Sequence, residues 1–144
     1  MTKNVFRHKI KINKLLLTCF VLASLSNTNA QNVKQPAWVA PSSFNELKNP
    51  FTEYSAPAKL GKKTYSIYCA ACHGNGGKGD GAAAASLNPK PSDHTSSLVQ
   101  SETDGSLFWK MTEGRGTMAS FKQILTDDQR WQLVCYIRTL AKNK

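Results

Sequence analysis

The chain has 144 residues, 40% of them apolar and 9% aromatic, and its 19 basic against 9 acidic side chains give a formal charge of +10. That length holds one domain near the small end of what folds alone. Apart from the short Ala82–Ala85 run there is no low-complexity block and no internal repeat, which excludes a repeat architecture.

Residues 1–14 carry Lys3, Arg7, Lys9, Lys11 and Lys14 and no acid, Leu15 to Leu25 form a short apolar stretch, and Thr28-Asn29-Ala30 ends in small residues before Gln31. This is the pattern of a secretory signal peptide over residues 1–30, cleaved on export. The apolar run is too short to span a bilayer, so an exported, periplasmic location with no stable membrane span after cleavage is expected. Cys19 is expected to leave with the signal. Five of the 19 basic side chains go with it, so the formal charge halves from +10 to +5. That modest excess on an exported protein speaks against nucleic acid as a partner. Three cysteines then remain, an odd number that a disulfide framework does not explain.

Residues 31–55 hold Pro36, Pro41 and Pro50 with Trp38, Phe44, Phe51 and Tyr54 scattered among them. They read as an extended N-terminal arm held to the body by its rings, with the main domain at 56–144. From Ala58 to Ala70 the pattern turns helical, with Leu60, Thr64, Ile67, Tyr68 and Ala71 on one side. Gly74, Gly76, Gly77, Gly79 and Gly81 stop it. The run Gly74-Asn75-Gly76-Gly77-Lys78-Gly79 formally matches a dinucleotide fingerprint, but no strand precedes it and no amphipathic helix opens from it. Leu87 to His94 reads as irregular chain. Ser101 to Thr112 reads as a helix with Leu107, Phe108 and Met111 on one face and Gly114 as its stop. Arg115 to Phe121 is a loop. The last helix has the clearest start: Thr126-Asp127-Asp128-Gln129 is a capping box, followed by Trp131, Val134, Tyr136, Ile137 and Leu140. Cys135 falls in that helix beside Val134, where a buried cysteine behaves as a small hydrophobe; an intermolecular disulfide is the competing use of an odd thiol in an oxidising compartment.

The segment with chemistry in it is Cys69-Ala70-Ala71-Cys72-His73. Two thiols three positions apart with a histidine directly after the second is the attachment pattern for c-type haem. One helical turn brings both sulfurs under the two vinyl groups of a porphyrin, and the next residue is carried beneath the iron. Two other chemistries use such a pair. A thioredoxin-like dithiol needs a βαβ context, whereas the surroundings here are helical on one side and Gly-rich on the other. A structural zinc site needs a second ligand pair, and the later candidates, His94 and Cys135, are far apart.

Taken together, residues 58–141 resemble the class I cytochromes c, small bacterial single-haem electron carriers. The resemblance rests on Gly61 and Tyr65 before the haem motif, on Cys69 to Gly74, on the Met118 loop, and on the terminal Trp131 to Leu140. It implies an all-α fold of three to four helices enclosing one covalently bound haem c, with Gly61 letting the first helix cross the last and Tyr65 packing against Leu133 and Tyr136. It implies cofactor attachment through Cys69 and Cys72 and iron ligation by His73 and Met118. Met111, on a helical face, and His94, in a loop, are the other candidates for the distal position. A backbone carbonyl is expected to accept from the second His73 ring nitrogen. In the family that carbonyl commonly lies beside a proline after the glycines, where this chain has Ala82. Both axial positions filled by protein leave no open iron site, so the resemblance implies an electron carrier and not an enzyme. Its partners would be redox proteins with acidic docking surfaces meeting Lys62, Lys63, Lys78, Lys110 and Lys122, and a monomer is expected. Trp109 and Arg115 are candidates for bonding a haem propionate. The alternative role is that of a haem-bearing subunit of a dehydrogenase or oxidase complex, with the arm as a docking strap.

Overall fold

A computed structural model describes residues 37–141. The signal-peptide reading, Cys19 and the first residues of the arm lie outside the described residues. Among the described residues six α-helices follow one another: α1 (Ser42–Asn45), α2 (Ser55–Tyr68), α3 (Ala70–His73), α4 (Ser97–Gln100), α5 (Asp104–Glu113) and α6 (Asp127–Thr139). A single 3-10 turn at Ala84–Ser86 interrupts the Gly-rich stretch after α3, and no strand occurs among the described residues. The architecture is all-α, as the sequence implies. Three long helices carry it, and the short ones are too brief to show a period in the sequence.

α2 opens three residues before the sequence suggests. Pro57 is tolerated there because the amides of a first helical turn lack intrahelical partners. Its buried residues are Ala58, Gly61 and Tyr65, while Leu60, Ile67 and Tyr68 are exposed, Ile67 at 72%. The apolar side read from periodicity is therefore not the one that packs. The reason is visible at Gly61: a β-carbon there would stand 2.0 Å from the Gln132 carbonyl oxygen of α6. The two backbones touch at this crossing, and α2 turns toward α6 the face with the smallest residue, not the most apolar one. Tyr65, one turn on, is 1% exposed and meets Tyr136 edge to face at 5.0 Å.

α6 starts at the expected capping box: Thr126 accepts from the Gln129 amide, and the Gln129 side chain accepts from the Thr126 amide. Leu133, Val134 and Cys135 are fully buried, and the Cys135 thiol accepts from Asn49 Nδ2 at 3.4 Å. Arg130 is buried as well. Its guanidinium donates to the carbonyls of Phe121, Lys122 and Leu125 and pairs with Asp127, tying the segment before α6 onto the helix. α5 begins at Asp104, three residues later than expected, because the Thr103 hydroxyl caps it by accepting from the Ser106 amide. Gly114, at φ +67°, ends it.

The described part of the arm lies on the body. Trp38 and Phe44 pack their rings against Trp109, with centroids 6.2 and 6.3 Å apart. The Phe44 carbonyl occupies the place where a β-carbon on Gly105 would be, 1.8 Å away. Asp104 then gathers the polar anchors: it accepts from Tyr54 and Asn49 of the arm and from Arg138 of α6. Burial works to raise the Asp104 carboxyl, but the bonds from Tyr54, Arg138 and Asn49 outweigh it and hold the group below its usual value.

Two consequences can be measured. Gly61→Ala must push α2 off α6 and should cost about 2–4 kcal/mol in urea unfolding. An aspartate whose folded pKa is depressed contributes stability above its unfolded value near pH 4 and loses it as pH falls through the folded value. Asp104→Asn should therefore destabilise by about 1–3 kcal/mol at neutral pH, with the gap to the parent protein closing on acidification below pH 4.

Candidate functional site

Cys69 interrupts the helical path between α2 and α3, and its amide still bonds the Tyr65 carbonyl at 2.9 Å. α3 carries Cys72 and His73 in a single turn, closed by Gly74 at φ +77°. The motif thus sits at the end of the helix that α6 braces, as the sequence suggests. Both thiols are unbonded and half-buried. Burial, with the neighbouring Cys72 adding to it, pushes the Cys69 thiol up to about 12. A redox dithiol needs the opposite, a thiolate present at neutral pH. The zinc alternative also loses its second pair, since His94 and Cys135 each have other partners.

His73 is buried, and its Nδ1 lies 3.0 Å from the Ser92 carbonyl oxygen. A carbonyl only accepts, so Nδ1 carries the proton and Nε2 keeps its lone pair. Burial lowers the His73 pKa, with the Ser92 bond working against it, which favours the neutral ring. A neutral imidazole with Nε2 bare is the form that binds a metal. The bonding carbonyl is well beyond Ala82, and it does follow a proline, Pro91. The glycines make that reach possible: Gly79, at φ +73°, passes so close to Pro91 that a β-carbon would stand 2.4 Å from its carbonyl oxygen.

His94, the loop candidate for the distal position, is buried. It is 9% exposed and lies flat against His73, with ring centroids 4.1 Å apart and planes at 18°. Two rings stacked face to face lie on the same side of any metal that His73 binds, so this arrangement does not present His94 as the opposite ligand. Burial, with His73 second and Asp93 opposing, lowers the His94 pKa to about 3. Its Nδ1 is 3.2 Å from the Tyr65 hydroxyl. Neither the Ser92 carbonyl nor this tyrosine contact is signalled by residue type, although Pro91 marks the first.

Met118 stands half-buried against the core at the end of a tight loop, where Arg115 and Met118 exchange backbone bonds of 2.9 and 3.0 Å. Met111 is a core methionine, 5% exposed on the inner face of α5. Of the suggested basic rim, Lys62, Lys63, Lys78 and Lys122 are exposed. Lys110 is not available in the same way, since it pairs with Glu102 and lies 5.5 Å from the Trp38 ring centre. Trp109 is packed by Trp38 and Phe44, and the Arg115 guanidinium lies 5.9 Å from the Trp38 ring centre.

An all-helical domain with its two crossed long helices and this Cys-Cys-His turn is a class I-like cytochrome c. The profile of the family described as "Cytochrome C oxidase, cbb3-type, subunit III" matches residues 56–137, and the chain belongs to that family. Among solved structures, a chain of the Kuenenia stuttgartiensis reducing HAO-like protein complex is 28% identical, with a TM-score of 0.57. The match covers 67% of this chain and 50% of that one, so this protein corresponds to half of its neighbour's length. No curated protein matches the chain. Membership of a cytochrome c family supports haem-based electron transfer, with haem c as the cofactor.

Proposed function

We propose that the protein is an exported one-electron carrier of a periplasmic respiratory chain, with a single haem attached through Cys69 and Cys72 and bound axially by His73 and Met118. One observation carries the reading: His73 donates from Nδ1 to the Ser92 carbonyl and so keeps the Nε2 lone pair, in a turn that also holds two unbonded thiols. Bound haem would supply an iron that gains and loses one electron. The protein's share is to hold the group. Cys69 and Cys72 would attach its edge, Ser92 would fix the histidine tautomer, and the half-buried Met118 sulfur would occupy the second axial position in preference to the core-packed Met111. A soft sulfur there favours the reduced iron and raises the potential relative to a second histidine. Residues 1–30 would act as the cleaved signal and 31–55 as the arm. Exposed Lys62, Lys63, Lys78 and Lys122 would steer an acidic redox partner.

A second reading draws on the resemblance to a chain of a reducing HAO-like complex. In it the protein is the electron-transfer subunit of an oxidoreductase assembly. Mild purification from its native source separates the two: a lone monomeric species supports the free carrier, and stable co-elution with a large partner supports the subunit.

Acid-acetone extraction should leave the colour on the protein, and replacing both Cys69 and Cys72 by Ala should abolish it. Ferric protein should show a weak far-red sulfur-to-iron band that Met118→Ala removes and Met111→Leu keeps. Freely extractable haem would overturn the attachment, and loss of the band only in Met111→Leu would overturn the choice of methionine.

A further inference from the structure

We propose that His94 is a positioning residue that sets the plane of the His73 ring, a role that rests on His73 being the iron ligand. The Ser92 bond tethers one atom of His73. That bond, with the covalent attachment at Cβ, orients the ring, and a flat surface packed on its face narrows the orientation further. His94 supplies a flat surface over the whole ring, 4.1 Å away and within 18° of parallel.

That surface is itself held from several sides. The Tyr65 hydroxyl lies 3.2 Å from Nδ1, and the Tyr65 ring stands at 69° to the imidazole with centroids 5.8 Å apart. The His94 amide donates to the Gly77 carbonyl at 2.6 Å. Gln100 donates to the His94 carbonyl at 2.6 Å and to the Ile137 carbonyl of α6 at 2.9 Å, which joins the loop to the last helix. Gly77 packs so closely that a β-carbon on it would be 3.2 Å from His94 Cβ. A side chain needed only to fill space would not require its ring edge, amide and carbonyl all fixed. The aromatic face is what these restraints present to His73.

The orientation of an axial imidazole plane determines how the d orbitals of low-spin ferric iron split. It is read in the g anisotropy and in the pattern of haem-methyl proton shifts. His94→Leu removes the flat face, and His94→Phe restores it without the ring nitrogens. In the intact haem-loaded protein, His94→Leu should change the g values and reorder the methyl resonances, whereas His94→Phe should stay close to the parent. Both should keep the far-red sulfur-to-iron band. Identical spectra for His94→Leu and the parent would overturn the proposal, as would an equal change in His94→Phe. Tyr65→Phe releases the same Nδ1 contact that His94→Phe lacks, and should likewise stay close to the parent. If the leucine variant does not fold, His94→Val is read in its place, and a spectrum identical to the parent's overturns the proposal. Failure of the ligand assignment has a separate signature: His73→Gly would then retain the low-spin ferric spectrum.

Discussion

The touching backbones of α2 and α6 are the constraint on which the other contacts depend. With the Gln132 carbonyl where a Gly61 β-carbon would be, the two helices have one permitted separation. That separation determines how deep Tyr65 enters and therefore where its hydroxyl ends. From Gly61 to Tyr65 to His94 to His73, each position follows from the one before by direct contact. The helix crossing thus places Tyr65, and the Gly-rich loop brings His94 and the Ser92 carbonyl to His73.

Those loops are held in a different way. A domain without sheet ladders leaves many loop carbonyls needing donors, and an unpaired buried carbonyl is costly. Long side chains from the helices meet the need. Arg138 donates to the carbonyls of Gln100 and Glu102 as well as to Asp104, and Arg130 gathers those of Phe121, Lys122 and Leu125. Lys90, exposed and in irregular chain, caps the carbonyls of Ala84 and Ala85 from outside. Arg130 and Arg138 therefore work inside the fold, where a charge count cannot distinguish them from a docking surface.

What could be read in advance follows the range of the interactions involved. The haem motif, the capping box at Thr126 and the stop at Gly114 depend on neighbours a few residues away, and all three appear where the pattern puts them. The Gly61 crossing and the Tyr65 contact with Tyr136 came from family resemblance. Periodicity in the same helix pointed to Leu60 and Ile67, which are exposed. A hydrophobic pattern ranks faces by apolarity, and here closeness of approach decided which face packs. His94 and the Ser92 carbonyl were hidden for a related reason: they lie in irregular chain, brought to His73 by the path of the glycines. Lys110 was misread because its partners, Glu102 and Trp38, come from separate segments.

The crossing partners also stand at nearly opposite ends of the domain, which bears on the order of events as the chain is made. Synthesis is vectorial, so Gly61 and Tyr65 emerge long before Gln132 and Tyr136. Until the last helix arrives, the buried face of α2 has no surface to close against, and contacts between distant segments form late. The thiols of Cys69 and Cys72 lie in the interval between. They are half-buried in the finished domain, so the proposed attachment of a group to them would meet less obstruction before the final helix closes against α2.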